Sequence, residues 1–274
     1  TLLASSAASD VYKRQHPNYK NCVIKEIEDY EKIKKVDYRT CERMMMHIDV
    51  CKRLVAEFKG EKPVIAFVFG PLGTLSMLRN QSAMYMDLYD DPDAVKGAAR
   101  EIAATLKEYA EALCDVGVNA IMWDTLFASG SIMSKQMWVE MESDLMRELS
   151  AAVRAKGCLN MIHNCGEKIY FDVQIDAIQP AAISFLYPPD DCEDFADCKA
   201  KYGDKVTLIG CVPPTNVVLG TDEEWDQICR DQIDAMAKGG GFILATGCEF
   251  PSGSPLDRAK RMVDVAKTYG VYHK

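Results

Sequence analysis

The sequence predicts an α/β fold made of parallel β/α units: a (β/α)8 barrel of which about six units are present. Three observations lead there. Short apolar runs rich in β-branched residues alternate with helix-length amphipathic stretches from about residue 38 to residue 270. Each parallel crossover needs such a helix. No Pro/Gly/Ser-rich linker or change of composition divides the chain after residue 16. The turn after the first run, Gly70-Pro71-Leu72-Gly73-Thr74, lacks the G-x-G-x-x-G pattern of an open dinucleotide-binding sheet, and no P-loop occurs.

The elements follow in order. Met44, Ile48, Cys51, Val55 and Phe58 mark one helical face, which Gly60 stops. Residues 63–69 form the first strand. Asp91-Pro92 opens a helix carrying Val95, Ala98, Ile102, Leu106, Tyr109 and Leu113, with Gly117 at its C-terminal cap. Val118 to Trp123 is the second strand, ending at Asp124. Ser134 caps a helix with Trp138, Met141, Leu145 and Leu149 that ends at Gly157. Cys158 to Ile162, the third strand, runs into His163-Asn164-Cys165-Gly166. A short helix near 167–174, a strand over Ala181–Leu186 and a helix near 191–202 come next. The fifth strand, Val206 to Ile209, ends in Gly210-Cys211. Thr221 with Glu224 is a capping box for a helix bearing Trp225, Ile228, Gln232 and Met236. Phe242 to Thr246 is the sixth strand, leading into Gly247-Cys248-Glu249, and Ser254-Pro255 starts the last helix.

Composition excludes several classes of function. With 32 basic and 41 acidic residues the net charge is −9, and no basic patch stands out. That disfavours nucleic acid and anionic membrane surfaces. No run of about 18 uncharged apolar residues occurs, so no membrane-spanning helix is expected. The 11 cysteines are scattered and odd in number. They read as buried thiols of a reducing, cytoplasmic protein, a few of them serving as metal ligands. Residues 1–15, TLLASSAASDVYKRQ, lack an initiator Met and a signal-peptide pattern. They resemble translated adapter sequence and are set apart as a non-native tail, a natural terminal segment being the alternative. The barrel domain is then 16–274, and the two strands needed to complete eight would lie before residue 16.

Asp124, His163, Cys165, Cys211 and Cys248 all fall at or just past the C-terminal ends of predicted strands. Parallel β/α folds build their sites there. Alternate residues at a strand end point the same way, so His163 and Cys165 can face one ion, and Cys248 can join from the same rim. One imidazole and two thiolates suit Zn²⁺ and leave a fourth position open, the mark of a catalytic zinc. The same spacing also fits a core histidine beside a buried thiol. Asp124 either orients a ligand or substrate, or caps the loop before Ser129. Cys211 is either a fourth ligand or a buried small residue. Met44, Met45 and Met46 read as core filling, and the acidic run Asp190–Asp194 as a solvated helix start. His16, His47 and His273 read as structural or incidental.

Together these motifs resemble the uroporphyrinogen decarboxylase superfamily from about residue 22 to 270. They are most similar to its zinc-dependent methylcobamide:coenzyme M methyltransferases. The resemblance rests on Gly70-Pro71-x-x-Thr74, Asp124-x-x-x-Ala128-Ser129, His163-x-Cys165-Gly166, and Gly247-Cys248-Glu249-x-Pro251 followed by Ser254-Pro255-Leu256. It implies a (β/α)8 TIM barrel with Zn²⁺ at its C-terminal mouth, held by His163, Cys165 and Cys248. It also implies transfer of a methyl group from a methylated corrinoid, a methylcobamide on a carrier protein, to a zinc-bound thiol such as coenzyme M. Relatives often carry an acid just after the fourth strand seen here. In this chain the first acids are Asp190 and Asp191, which leaves the fourth ligand open. The alternatives are a metal-free decarboxylase-like lyase and a non-catalytic corrinoid- or thiol-binding relative.

Overall fold

Six runs of β-branched and aromatic residues become strands: β1 (Ile65–Phe69), β2 (Ala120–Asp124), β3 (Leu159–Asn164), β4 (Ala182–Phe185), β5 (Thr207–Val212) and β6 (Phe242–Thr246). This computed structural model describes residues 22–271, with the backbone of Ser9–Asp10 and Asn18–Tyr19 as a short antiparallel pair. The strands form one parallel sheet in chain order, β1-β2-β3-β4-β5-β6, the pattern of a partial TIM barrel whose ladder is open among the described residues. The expected six β/α units are therefore present. The segment 1–15, set apart above as a non-native tail, lies outside the described residues, the backbone of Ser9–Asp10 excepted.

The chain packs as two compact units. The first comprises Thr1–Phe127, Gln136–Asn160 and Val173–Gln179. The second comprises Ala128–Lys135, Met161–Asp172 and Pro180–Lys274.

In the first unit, α1 (Glu42–Phe58) buries Met44, Ile48 and Cys51. It closes one residue before the expected stop, on Lys59 in the left-handed region. Two helices follow, the first of them beginning within Gly70–Thr74, the stretch read from sequence as a turn. Gly70 is the N-cap of α2 (Pro71–Arg79), with Pro71 in its first turn, where a missing N–H costs nothing. The Gly-Pro pair thus starts the helix instead of breaking the chain, because Leu72, Leu75 and Leu78 behind it all find burial. Asn80 ends α2, and its side chain accepts the Ser82 N–H to open α3 (Gln81–Asp90). α4 (Pro92–Asp115) follows as expected: Asp91 accepts the Ala94 N–H, and Val95, Ile102, Leu106 and Leu113 are buried. A continuous helical run comprises Lys135–Trp138, a π-helical turn at Val139–Ser143, and α5 (Asp144–Ala155).

In the second unit the Thr221–Glu224 capping box forms at 2.7 and 3.2 Å and begins α8 (Asp222–Met236). Trp225, Cys229 and Ile233 of α8 pack with Val212 of β5 and with Met262 and Val265 of α9 (Asp257–Thr268). Two helices between β3 and β5, the first of them mostly within the first unit, start later than the periodicity suggests. α6 (Phe171–Ile178) waits because Ile169 bridges Ser129 and Tyr170 N–H donates to Ala128 C=O at 3.0 Å, which keeps the preceding residues extended. α7 (Phe195–Tyr202) starts where Asp194 accepts the Asp197 N–H at 2.8 Å. The acidic run ahead of α7 is more than a solvated helix start. Asp190 pairs with Lys135 at 2.9 Å, and Asp191 with Lys201 at 2.7 Å and the Tyr202 hydroxyl at 2.5 Å. Among the described residues no helix is long and apolar enough to cross a membrane.

Candidate metal centre

Strand alternation turns His163 and Asn164 of β3 to opposite faces, and Asn164 is fully buried. Its Nδ2 donates to Ala128 C=O at 3.3 Å, and its Oδ1 accepts the Gly166 N–H at 3.0 Å. This grip fixes the turn that carries Cys165. Gly166 is required by close approach, since a Cβ there would lie 2.5 Å from Ser129 Oγ.

The other half of the site follows β6. Gly247 N–H donates to Val212 C=O at 2.9 Å. A Cβ on Gly247 would come within 2.7 Å of Leu186 Cα and 2.8 Å of Phe185 O, both backbone atoms that cannot swing aside. Gly247→Ala is therefore expected to destabilise the protein by about 1–3 kcal/mol, the usual cost of overpacking. The check is a lower midpoint in urea unfolding.

The result is a half-buried cluster in which one ring nitrogen of His163 and the sulfurs of Cys165 and Cys248 all lie within 4.8 Å of one another. Donors bound tetrahedrally at about 2.0–2.3 Å from a zinc ion stand roughly 3.3–3.8 Å apart, so a small inward movement suffices. The donor set is the soft, mixed N/S set that zinc takes. Electrostatics already favour an anion. The hydrogen bond from the Cys165 thiol, then those from His163 and the Glu249 backbone, outweigh burial and lower Cys248 to about 4. Burial has the opposite effect on cysteines elsewhere, raising Cys229 to about 12 and Cys211 well above its ordinary value. Cys211 lies within β5, 1% exposed and outside the three-residue cluster, as a buried small residue does.

Two polar residues escape a reading by strand ends. Ser184 of β4 stands in register with His163, and its Oγ meets Nδ1 at 3.1 Å. Its signal is a lone hydroxyl in an otherwise apolar strand, Ala182-Ile183-Ser184-Phe185. Glu142, in the π-helical turn of the first unit, is fully buried. It accepts the Leu72 N–H and the Trp138 indole N–H, each at 2.8 Å. Burial, aided by the nearby charge of Asp124, raises it to about 7. Its signal was a carboxylate on the apolar stripe of Trp138, Leu145 and Leu149. Asp124 ends β2 opposite Phe69; its Oδ1 accepts the Leu126 N–H at 3.1 Å, and its carbonyl accepts the Gly70 N–H at 2.8 Å.

The family model for uroporphyrinogen decarboxylase (URO-D) matches residues 7–269. Among solved structures, a methyltransferase from Methanosarcina mazei superposes with a TM-score of 0.80 at 16% identity, covering 99% of this chain and 78% of that one. A B12-independent methionine synthase from Shewanella sp. W3-18-1, in complex with selenomethionine, superposes with a TM-score of 0.57 at 17% identity, covering 81% of this chain and 66% of that one. At such identities the likeness is one of fold. No curated protein sequence matches. The family match spans nearly the whole chain, strand ends and cysteine cluster included, and the chain belongs to the uroporphyrinogen decarboxylase (URO-D) family.

Proposed function

We propose that this chain is a methyl-transfer enzyme of the URO-D fold in which His163, Cys165 and Cys248 hold a zinc ion that activates a thiol. One observation carries the reading: an imidazole and two sulfurs converge from the ends of β3 and β6 to within 4.8 Å of one another. Bound zinc supplies Lewis acidity that keeps an incoming thiol deprotonated at neutral pH. Three protein donors leave one position of a tetrahedral set for that thiol. Two cysteine sulfurs among them lower the net charge of the centre, so an added thiolate keeps its nucleophilicity. The methyl donor is a methylated corrinoid presented by a carrier protein, and the acceptor is a small thiol such as coenzyme M. Asp124, held at the end of β2 by the Leu126 N–H, is the carboxylate proposed to orient substrate. Eleven free cysteines suit a reducing, cytoplasmic setting. Support comes also from the neighbour of similar fold described as a methyltransferase.

The test is metal analysis of the purified protein, followed by demethylation of methylcobalamin with a panel of thiols, read by absorbance. One zinc per chain and thiol-dependent demethylation are expected. The second reading, a decarboxylase-like lyase, is favoured by the family match. A protein that stays metal-free after incubation with zinc and decarboxylates a tetrapyrrole would establish it instead.

A further inference from the structure

We infer that the cavity lined by α1, β1, α2 and α4 of the first unit is a binding site for a small aromatic carboxylate, its anionic group on Arg43 and its ring in the apolar interior. The cavity holds about 260 Å³. That is just below the range of about 300–1,000 Å³ that drug-sized ligands fill, so it suits a body of one or two rings. Met44, Leu78, Ile102 and Leu106 form its depth, none of them more than 5% exposed. Phe67 and Phe69 line its open side, half-exposed, with their rings edge-to-face at 5.6 Å. Met44 and Met77 add thioethers to the lining. Rings and thioethers together favour a flat aromatic guest, and a rigid ring gives up less freedom on binding than an alkyl chain. None of these residues belongs to the cysteine cluster, so the inference stands apart from the metal.

The polar groups of the lining are few, and they assign the charge. His47 Nδ1 and the Tyr109 hydroxyl are hydrogen-bonded to each other, and Thr105 Oγ1 accepts the Val36 N–H at 2.9 Å. Burial pushes the His47 imidazole down and the Tyr109 phenol up, so both are uncharged at neutral pH. The charge is left to Arg43, one turn before His47 on the same side of α1. The neighbouring Arg39 and Arg53 are paired with Asp37 and Asp49, whereas among the described residues no carboxylate pairs with Arg43. A guanidinium fork takes both oxygens of a carboxylate, and a cation beside an apolar cavity recognises an anion with an apolar body.

The probe is 2-naphthoate, titrated calorimetrically into the full chain. Saturable binding of one equivalent is expected. The uncharged counterpart, 2-naphthalenemethanol, is expected to bind at least about 10-fold more weakly. Arg43→Ala is expected to weaken naphthoate by a similar factor and to leave the alcohol unchanged. Arg43 is exposed, so the fold should persist. Carbon-13 NMR of the methionine methyls places the guest without a variant: the Met44 and Met77 signals should shift on titration, and those of Met236 and Met262, in the second unit, should not. Absence of saturable binding, equal affinity for acid and alcohol, full naphthoate affinity in Arg43→Ala, or unmoved Met44 and Met77 signals overturns the inference.

Discussion

Cys248→Ala is expected to strip the protein of zinc and of methyl transfer together. Zinc content should fall from one per chain to a small fraction, and the rate of thiol-dependent methylcobalamin demethylation by about 10³-fold or more. That loss corresponds to about 4 kcal/mol of barrier, the scale on which a bound Lewis acid acts. Two donors, His163 and Cys165, would remain, too few for a tight tetrahedral site. Cys248 is half-buried in the turn after β6 and contributes nothing to the core of Val212, Trp225 and Ile233, so far-UV circular dichroism should not change. Full activity in the variant would refute the zinc-thiolate mechanism. Loss of zinc with activity retained would separate metal binding from catalysis.

Glu142→Ala is expected to be among the most destabilising single changes in the first unit. It strands the Leu72 and Trp138 N–H groups in a buried site, and each such orphan costs about 1–3 kcal/mol. A loss of about 2–5 kcal/mol at pH 5, read from urea unfolding, follows. The wild-type carboxyl also makes stability depend on pH. Its folded value, about 7, stands above the ordinary 4.5 because burial penalises the charge. Between those two values the folded chain keeps a proton that the unfolded chain has released, so stability falls as pH rises through this window and levels off above 7. The drop is on the order of 3 kcal/mol. Glu142→Gln cannot ionise and should flatten this part of the profile. A wild-type profile that matches Glu142→Gln between pH 5 and 8 would show that Glu142 ionises normally.

Strand order, α4 and α8 were legible because their signals are local. Asp91-Pro92 and Thr221–Glu224 announce helix starts within one turn of chain. The convergence of His163, Cys165 and Cys248 was legible because residues at the ends of parallel strands share one rim. α2 was not, because Gly70-Pro71 breaks or begins a helix according to whether the leucines that follow find a core, and that is decided elsewhere in the chain. The same holds for Glu142, whose burial is tolerated because the Leu72 N–H of α2 and the Trp138 indole N–H both meet it. Ser184 has meaning only through its register with His163 on another strand. Cys211 was open on sequence because a strand boundary shifted by two residues decides between rim and core, and β5 extends past it to Val212.

The donors of the cluster lie far apart along the chain: roughly eighty residues separate Cys165 from Cys248. During synthesis on the ribosome, His163 and Cys165 emerge well before the last donor exists, so the nascent chain passes through a stage with half a site. The cluster assembles only when β6 has docked, so if it takes up zinc as proposed, that uptake would come late in folding. An ion bridging so long a loop would also restrict the unfolded chain as a crosslink does, by about 4–5 kcal/mol on the loop-entropy scale. Metal-starved cells would then accumulate a chain that is not merely idle but easier to unfold and degrade.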